Sequence, residues 1–229
     1  MPAVPASARK LIIAIDGPSG AGKGTVARAI ARELGYRHVD SGAMYRAIGW
    51  KALQEDLPLG DEDAIVQLAE RSQIEITSTR IAIDDIDVTR EIRTPEIDRA
   101  AASVARLPKV RAVLVRRQRE MADQGGVVME GRDIGTVVFP QADAKIYLDG
   151  SADERAQRRA SDPAHTGVPA AVADVATMLS ERDDIDRTRT ASPLYAAPDA
   201  TVIDTTGKPV EAVVRAVLQV IARKIEVSG

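Results

Sequence analysis

The chain has 229 residues, enough for one α/β domain with an insertion and a sizeable buried core. Hydrophobic residues make up 45% and charged residues 28%, and the formal net charge of −3 argues against wholesale nucleic-acid binding while leaving room for local arginine clusters that bind small anions. Cysteine is absent, which excludes disulfides, Cys-based zinc sites and thiol nucleophiles and makes a reducing cytoplasm the expected location.

Residues 1–9 read as a loose tail without an apolar run of signal-peptide length, and no stretch approaches the roughly 20 apolar residues of a membrane span. "LIIAID" (11–16) is a short apolar run ending at a Gly-rich turn, as expected for a buried parallel strand. The turn, "DGPSGAGKGT" (16–25), fits the phosphate-loop pattern G-x-x-x-x-G-K-[ST] up to its last letter. Gly24 stands where a magnesium-binding hydroxyl is expected, and Thr25 comes one position late. Gly17, Pro18, Ser19, Gly20, Ala21, Gly22, Lys23, Gly24 and Thr25 thus form the expected cradle for ATP. Backbone N–H groups from about Ser19 to Thr25 point inward, the helix dipole favours negative charge, and Lys23 reaches the outer phosphates. With no hydroxyl at position 24, magnesium is expected to be held mostly by substrate phosphates and water, with no protein ligand assigned.

The helix after the loop carries Val26, Ile30 and Leu34 on one face and stops near Gly35. "VDSGAMYR" (39–46) then brings Arg46 within reach of the loop mouth. "IEITSTRIAIDDIDVT" (74–89) breaks the rhythm: it alternates like half-buried antiparallel strands with a turn near Ser78 and Thr79, and reads as a small β insertion. A helical pattern at 108–124 is followed by an apolar run in "GGVVMEGRD" (125–133), so Arg132 and Asp133 fall at a strand's carboxyl end, where open α/β sheets bind ligands. Further apolar runs lie at 142–150 and 199–206, and further helical patterns at 151–160, 172–189 and 208–226. Strands alternating with helices imply a parallel sheet covered on both sides.

"DERAQRR" (153–159) places Arg155, Arg158 and Arg159 just before "SDPAHTGVPA" (161–170), a segment suited to a flap that closes over a triphosphate. In the next helix Val172, Val175 and Leu179 form an apolar stripe that Arg182, Asp186 and Arg189 continue at helical steps. Charges on a core-facing line need partners, and a bound nucleotide is one. His38 and His165 stand apart from any carboxylate pattern, Trp50 reads as a packing residue, and the pairs Asp84–Asp85 and Asp183–Asp184 read as solvated. A phosphate monoester is already an anion at neutral pH and needs cations more than a base. Many arginines without an obvious base therefore favour phosphate-to-phosphate transfer over phosphorylation of a hydroxyl. The absence of asparagine removes the Asn-Lys-x-Asp element of a GTPase.

The motifs "DGPSGAGKGT", "DSGAMYR", "EIRTPE", "PKVRAVLVRRQRE", "GRDIGTVVFP" and "ERDDIDR", in that order, resemble the bacterial cytidylate kinases within the nucleoside monophosphate kinases. The likeness runs from about residue 11 to the end of the chain. It implies an α/β phosphate-loop three-layer fold with a five-stranded parallel sheet, an enlarged monophosphate-binding unit and a short LID. The implied division is CORE 10–40, 98–156 and 187–229, acceptor unit 41–97 and LID 157–186. It further implies ATP with Mg2+, acceptors CMP and dCMP, and a cytoplasmic monomer without nucleic-acid or membrane partners. By the same likeness Ser19, Arg46, Arg132 and Arg189 hold the acceptor's phosphate, with Ser41 on the same side. Arg111 and Asp133 read cytosine, and Arg182 and Asp186 hold the ribose. Lys23, Arg155 and Arg159, with Arg132 and Arg189, neutralise the transferring group. Where the family often has a base-contacting Ser, this chain has Ala102, followed by Ser103. The alternatives are a kinase for UMP or dTMP and a non-catalytic ATP-binding regulator.

Overall fold

A computed structural model describes residues 10–77, 79–162 and 171–228, the last few of these (225–228) as backbone alone. The tail 1–9 and most of the anticipated flap, with His165, lie outside the described residues.

The elements in chain order are β1 (Ile12–Asp16), α1 (Lys23–Leu34), β2 (Arg37–Asp40), α2 (Ser41–Gln54), α3 (Glu62–Arg71), β3 (Ile74–Ile76), β4 (Ile81–Ile83) and β5 (Ile86–Asp87). They continue with α4 (Pro95–Val104), α5 (Pro108–Glu120), β6 (Val127–Gly131), β7 (Ala144–Asp149), α6 (Ala152–Ala160), α7 (Val172–Thr188), β8 (Thr201–Asp204) and α8 (Val210–Ser228). A five-stranded sheet runs β2-β6-β1-β7-β8 with every pairing parallel. The expected α/β fold with a five-stranded parallel sheet is therefore present.

The central strand shows why both faces are covered. Successive side chains of a strand point to opposite faces. Ile13 and Ile15 pack with α1 and α8 through Val26, Ile30, Val213, Val217 and Ile221, while Ala14 joins Met129, Val115 and Val138 on the other face. Burying such side chains stabilises the fold by about 1.5–3 kcal/mol each. Register then sets the site: Asp16, the last residue of β1, lies opposite Gly131, the last of β6, and opposite Tyr147 of β7, which runs two residues further, so the three strands open toward one end of the sheet.

The β insertion is also present, as an antiparallel sheet β3-β4-β5. Its middle strand departs from the half-buried reading, because Ile81, Ala82 and Ile83 are all buried. This sheet backs a second core in which α2, α3, α4 and α5 meet, with Ile48, Ile65, Leu68, Ile97, Val104 and Leu114 inside and Trp50 packed at its margin. Helix α4 starts where its local chemistry says it should: the Thr94 side chain accepts from the Ile97 N–H, and Pro95 follows at the first helical position. The boundaries implied at 97/98, 156/157 and 186/187 fall inside α4, α6 and α7.

Candidate active site

The phosphate loop is threaded between β7 and α6, which explains two of its glycines. A Cβ at Gly17 (φ 147°) would lie 2.0 Å from the Leu148 carbonyl oxygen, and one at Gly20 (φ 78°) 2.7 Å from that of Arg155. No side chain fits either place. Helix α1 begins at Lys23, so its first N–H groups face the cleft unshared. Lys23 is buried and its Nζ donates to the Pro18 carbonyl at 2.7 Å. Burial, with the nearby charge of Arg132, pushes its ammonium down to about 7. Asp16 accepts from the Ile134 and Gly135 N–H groups at 2.8 and 2.7 Å, which ties the loop to the turn after β6. Burial lifts its carboxyl to about 6 against those two bonds.

A cleft of about 910 Å3 runs from this loop to an arginine-rich wall. Lining it are Ser19 through Thr25, then Ser41, Arg46, Arg111, Arg132, Asp133, Arg159, Arg182, Asp186 and Arg189. Ser41 Oγ donates to the Glu130 carbonyl at 2.6 Å. Arg132 Nε donates to Asp186 at 2.8 Å, and Arg189 lies 3.4 Å from the same carboxylate. Burial alone would raise the Asp186 carboxyl, but Arg132, Arg182 and Arg189 together hold it below the usual range. Asp133 pairs with Arg111, both buried, and the Arg111 guanidinium lies 5.3 Å over the Tyr45 ring. The fold therefore brings together residues up to 170 positions apart in sequence around one cavity, and several donors stay open: Arg46 Nη1, Arg111 Nε, Arg182 Nε and Arg189 Nη2 are buried with no hydrogen-bond partner among the described residues. Convergent unsatisfied cationic donors in a concave site call for a polyanionic ligand.

Three residues sit differently from their anticipated places. Arg155 does not line the cleft. Its guanidinium holds the loop from behind, donating to the carbonyls of Gly150 at 3.1 Å and Ser19 at 2.9 Å and to Asp183 at 2.6 Å. Asp183, expected in solvent, is 1% exposed for that reason, whereas Asp184 is exposed. His38, expected to stand apart from carboxylates, contacts Glu130 Oε1 through Nε2 at 2.9 Å. At the base end Ala102 faces the cleft, while Ser103 Oγ turns back to the Arg99 carbonyl of its own helix at 3.2 Å.

Glu130 is a cleft residue that sequence reasoning missed, although "EGRDIG" contains it. A Cβ at Gly24 would lie 3.0 Å from its Oε1. The carboxylate thus approaches the place that a loop hydroxyl would take. Among the described residues no group of three or more His, Cys, Asp and Glu could hold a metal ion. One carboxylate beside a phosphate cradle fits magnesium, which keeps several waters and binds through one or two carboxylates plus substrate phosphates.

A phosphate loop on one wall and a bank of arginines on the other define a phosphotransferase of the phosphate-loop class, with an anionic acceptor. The chain belongs to the cytidylate kinase family, whose model matches residues 13–223. It is 46% identical over 221 residues to "Cytidylate kinase" of Desulfitobacterium hafniense (strain Y51), covering 95% of each chain. It is 47% identical over 209 residues to "Cytidylate kinase" of Desulforamulus reducens (strain ATCC BAA-1160 / DSM 100696 / MI-1), covering 90% of this chain and 94% of that one. A gluconokinase structure from Sinorhizobium meliloti 1021 aligns at a TM-score of 0.49 with 19% identity, over 94% of this chain and 93% of that one. No helix of the described residues is long and apolar enough to cross a membrane.

Proposed function

We propose that the chain transfers the γ-phosphoryl group of ATP to CMP and dCMP, giving ADP and CDP or dCDP, as a cytoplasmic monomer. The family membership and the names of its relatives support CMP as acceptor. The observation that carries the reading is the single cleft shared by the phosphate loop and Arg46, Arg132 and Arg189.

ATP lies with its phosphates on the loop N–H groups, and Lys23 leaves the Pro18 carbonyl to reach the transferring group. Arg46, Arg132 and Arg189 take the acceptor phosphate, the first two already aimed by Asp98 and Asp186. The Asp133–Arg111 pair reads the base: the carboxylate accepts from the cytosine amino group, and Arg111 donates to the ring nitrogen and carbonyl. Arg182 and Asp186 hold the ribose. Arg159 neutralises charge on the transferring group from the LID side, while Arg155 fixes the loop that carries it. Glu130 and water hold magnesium, which when bound screens the phosphate charges. The acceptor's own oxygen is the nucleophile and needs no base, so rate comes from positioning and electrostatic stabilisation. The acceptor unit extends from residue 41 through α5, because α4 and α5 share its core.

A coupled ADP-release assay with CMP, dCMP, UMP and dTMP tests this. Acceptor-dependent turnover should be highest with CMP and dCMP. Turnover that ignores the acceptor, or favours dTMP, would contradict it.

A further inference from the structure

Helix α4 carries one acidic residue that faces the LID helices. Asp98 is buried and accepts from Arg46 Nε at 3.1 Å. It also lies 2.9 Å from Arg182 Nη1 and pairs with Arg159. These three arginines come from α2, from the end of α6 and from α7, so the carboxylate joins the two sides of the cleft. An ordinary structural ion pair matches one charge with one charge. Here a single carboxylate answers three guanidinium groups, and Asp40 is a further carboxylate near Arg46, at 3.6 Å. The surplus positive charge lies where the proposed substrates carry their phosphates.

The geometry of the donors adds a second argument. Arg46 uses Nε on Asp98 and keeps Nη1 without a hydrogen-bond partner, and Arg182 uses Nη1 and keeps Nε without one. Each guanidinium is thus held by one edge and keeps a second, buried donor unsatisfied, Arg46 Nη1 facing Asp40 at 3.6 Å, and both residues line the cleft. Fixing flexible arginines before the ligand arrives removes part of the ordering cost of binding and of reaching the transition state.

We propose that Asp98 is a positioning residue for phosphoryl transfer: its carboxylate holds Arg46, Arg159 and Arg182 across the cleft so that their remaining donors converge on the bound nucleotide, Arg46 and Arg159 on its phosphates and Arg182 on its ribose. The inference rests on the kinase reading above and adds to Asp133, Asp186 and Glu130 a fourth anion that acts through its arginines. The test is a double-mutant cycle in kcat and KM on the full chain with ATP and CMP. Asp98→Asn keeps the side-chain shape and removes the charge. It should lower kcat by about tenfold and raise KM for CMP severalfold, with a melting temperature close to wild type. In an Arg159→Met background, where the guanidinium that acts on the transferring group is gone, the same substitution should lower kcat by less than about threefold. A purely structural Asp98 would instead give effects that multiply. Should Asp98→Asn not fold, the cycle is run with Asp98→Glu, which keeps the charge but displaces it, and the same non-additivity is expected. Asp98 variants with kcat and KM within about twofold of wild type, or multiplicative effects, would overturn the inference. Wild-type turnover of CMP in the same plates tests the kinase reading separately, since its failure shows without any variant.

Discussion

Lys23 shows how one side chain stores a readable response to substrate. In the free chain its ammonium is pushed down to about 7 by burial and by Arg132. Triphosphate oxygens would pull it back up, so ATP binding near pH 8 should take up protons. Calorimetry in buffers of different ionisation enthalpy should show that uptake in wild type and none in Lys23→Met; equal values would remove Lys23 from the phosphate site. The same variant should lose about 10²-fold or more in kcat with little change in melting temperature. Asp133 gives a sharper test of base choice. A hydrogen bond to a charged group contributes about 1.5–3 kcal/mol, or on the order of 10- to 150-fold. Asp133→Asn should lower kcat/KM for CMP by a factor in that range and for UMP by much less. Equal losses would mean that Asp133 serves only to hold its buried partner Arg111. At this scale the cations were legible, as were Asp133 and Asp186 beside them, but the carboxylates Asp98 and Asp183 were not. Arg46, Arg132 and Arg189 stand in recognisable motifs, whereas Asp98 meets Arg46 across 52 positions and Asp183 meets Arg155 across 28. A carboxylate in a charged run reads as solvated until the fold supplies its partner.

Elements differ in how much of them the chain's pattern reveals. The strand–turn–helix of the phosphate loop and the stripe on α7 were readable because each carries its signal locally. Val175 and Leu179 are buried and the line continues through Asp186 and Arg189, though Val172 at its start is 45% exposed. Strand β2 was not readable: it is a four-residue edge strand, "RHVD", with one buried position. Helices α2 and α4 also escaped, since α2 is built around small residues such as Ala43, Ala47, Gly49 and Ala52 that give little periodic contrast. The α6–α7 pair packs through a cluster of its own, made of Ala156, Val175 and Leu179 with Ala176 beside it. Leu179→Ala should therefore cost about 2–3 kcal/mol, at the lower end for a buried leucine, and should cost it locally. Hydrogen exchange should speed up in α6 and α7 while β1, β6 and β7 keep their protection. A uniform loss across the sheet would show that the two helices share the main core's stability.

The whole molecule carries a net charge of −3, yet its cleft gathers positive charge from five helices and from the carboxyl end of β6. Attraction of anions into such a cleft is screened by salt, so kcat/KM for CMP should fall between low and physiological ionic strength. A flat salt profile would mean that encounter does not depend on this field. The central claim is narrower: one cleft passes the terminal phosphoryl group of ATP directly to a pyrimidine monophosphate. The most direct measurement follows that group. With ATP labelled at the γ-phosphate and CMP in excess, a single turnover should leave the label in the β-phosphate of CDP and none on the protein. Label released as inorganic phosphate, or trapped on the protein before it reaches the acceptor, would contradict direct transfer.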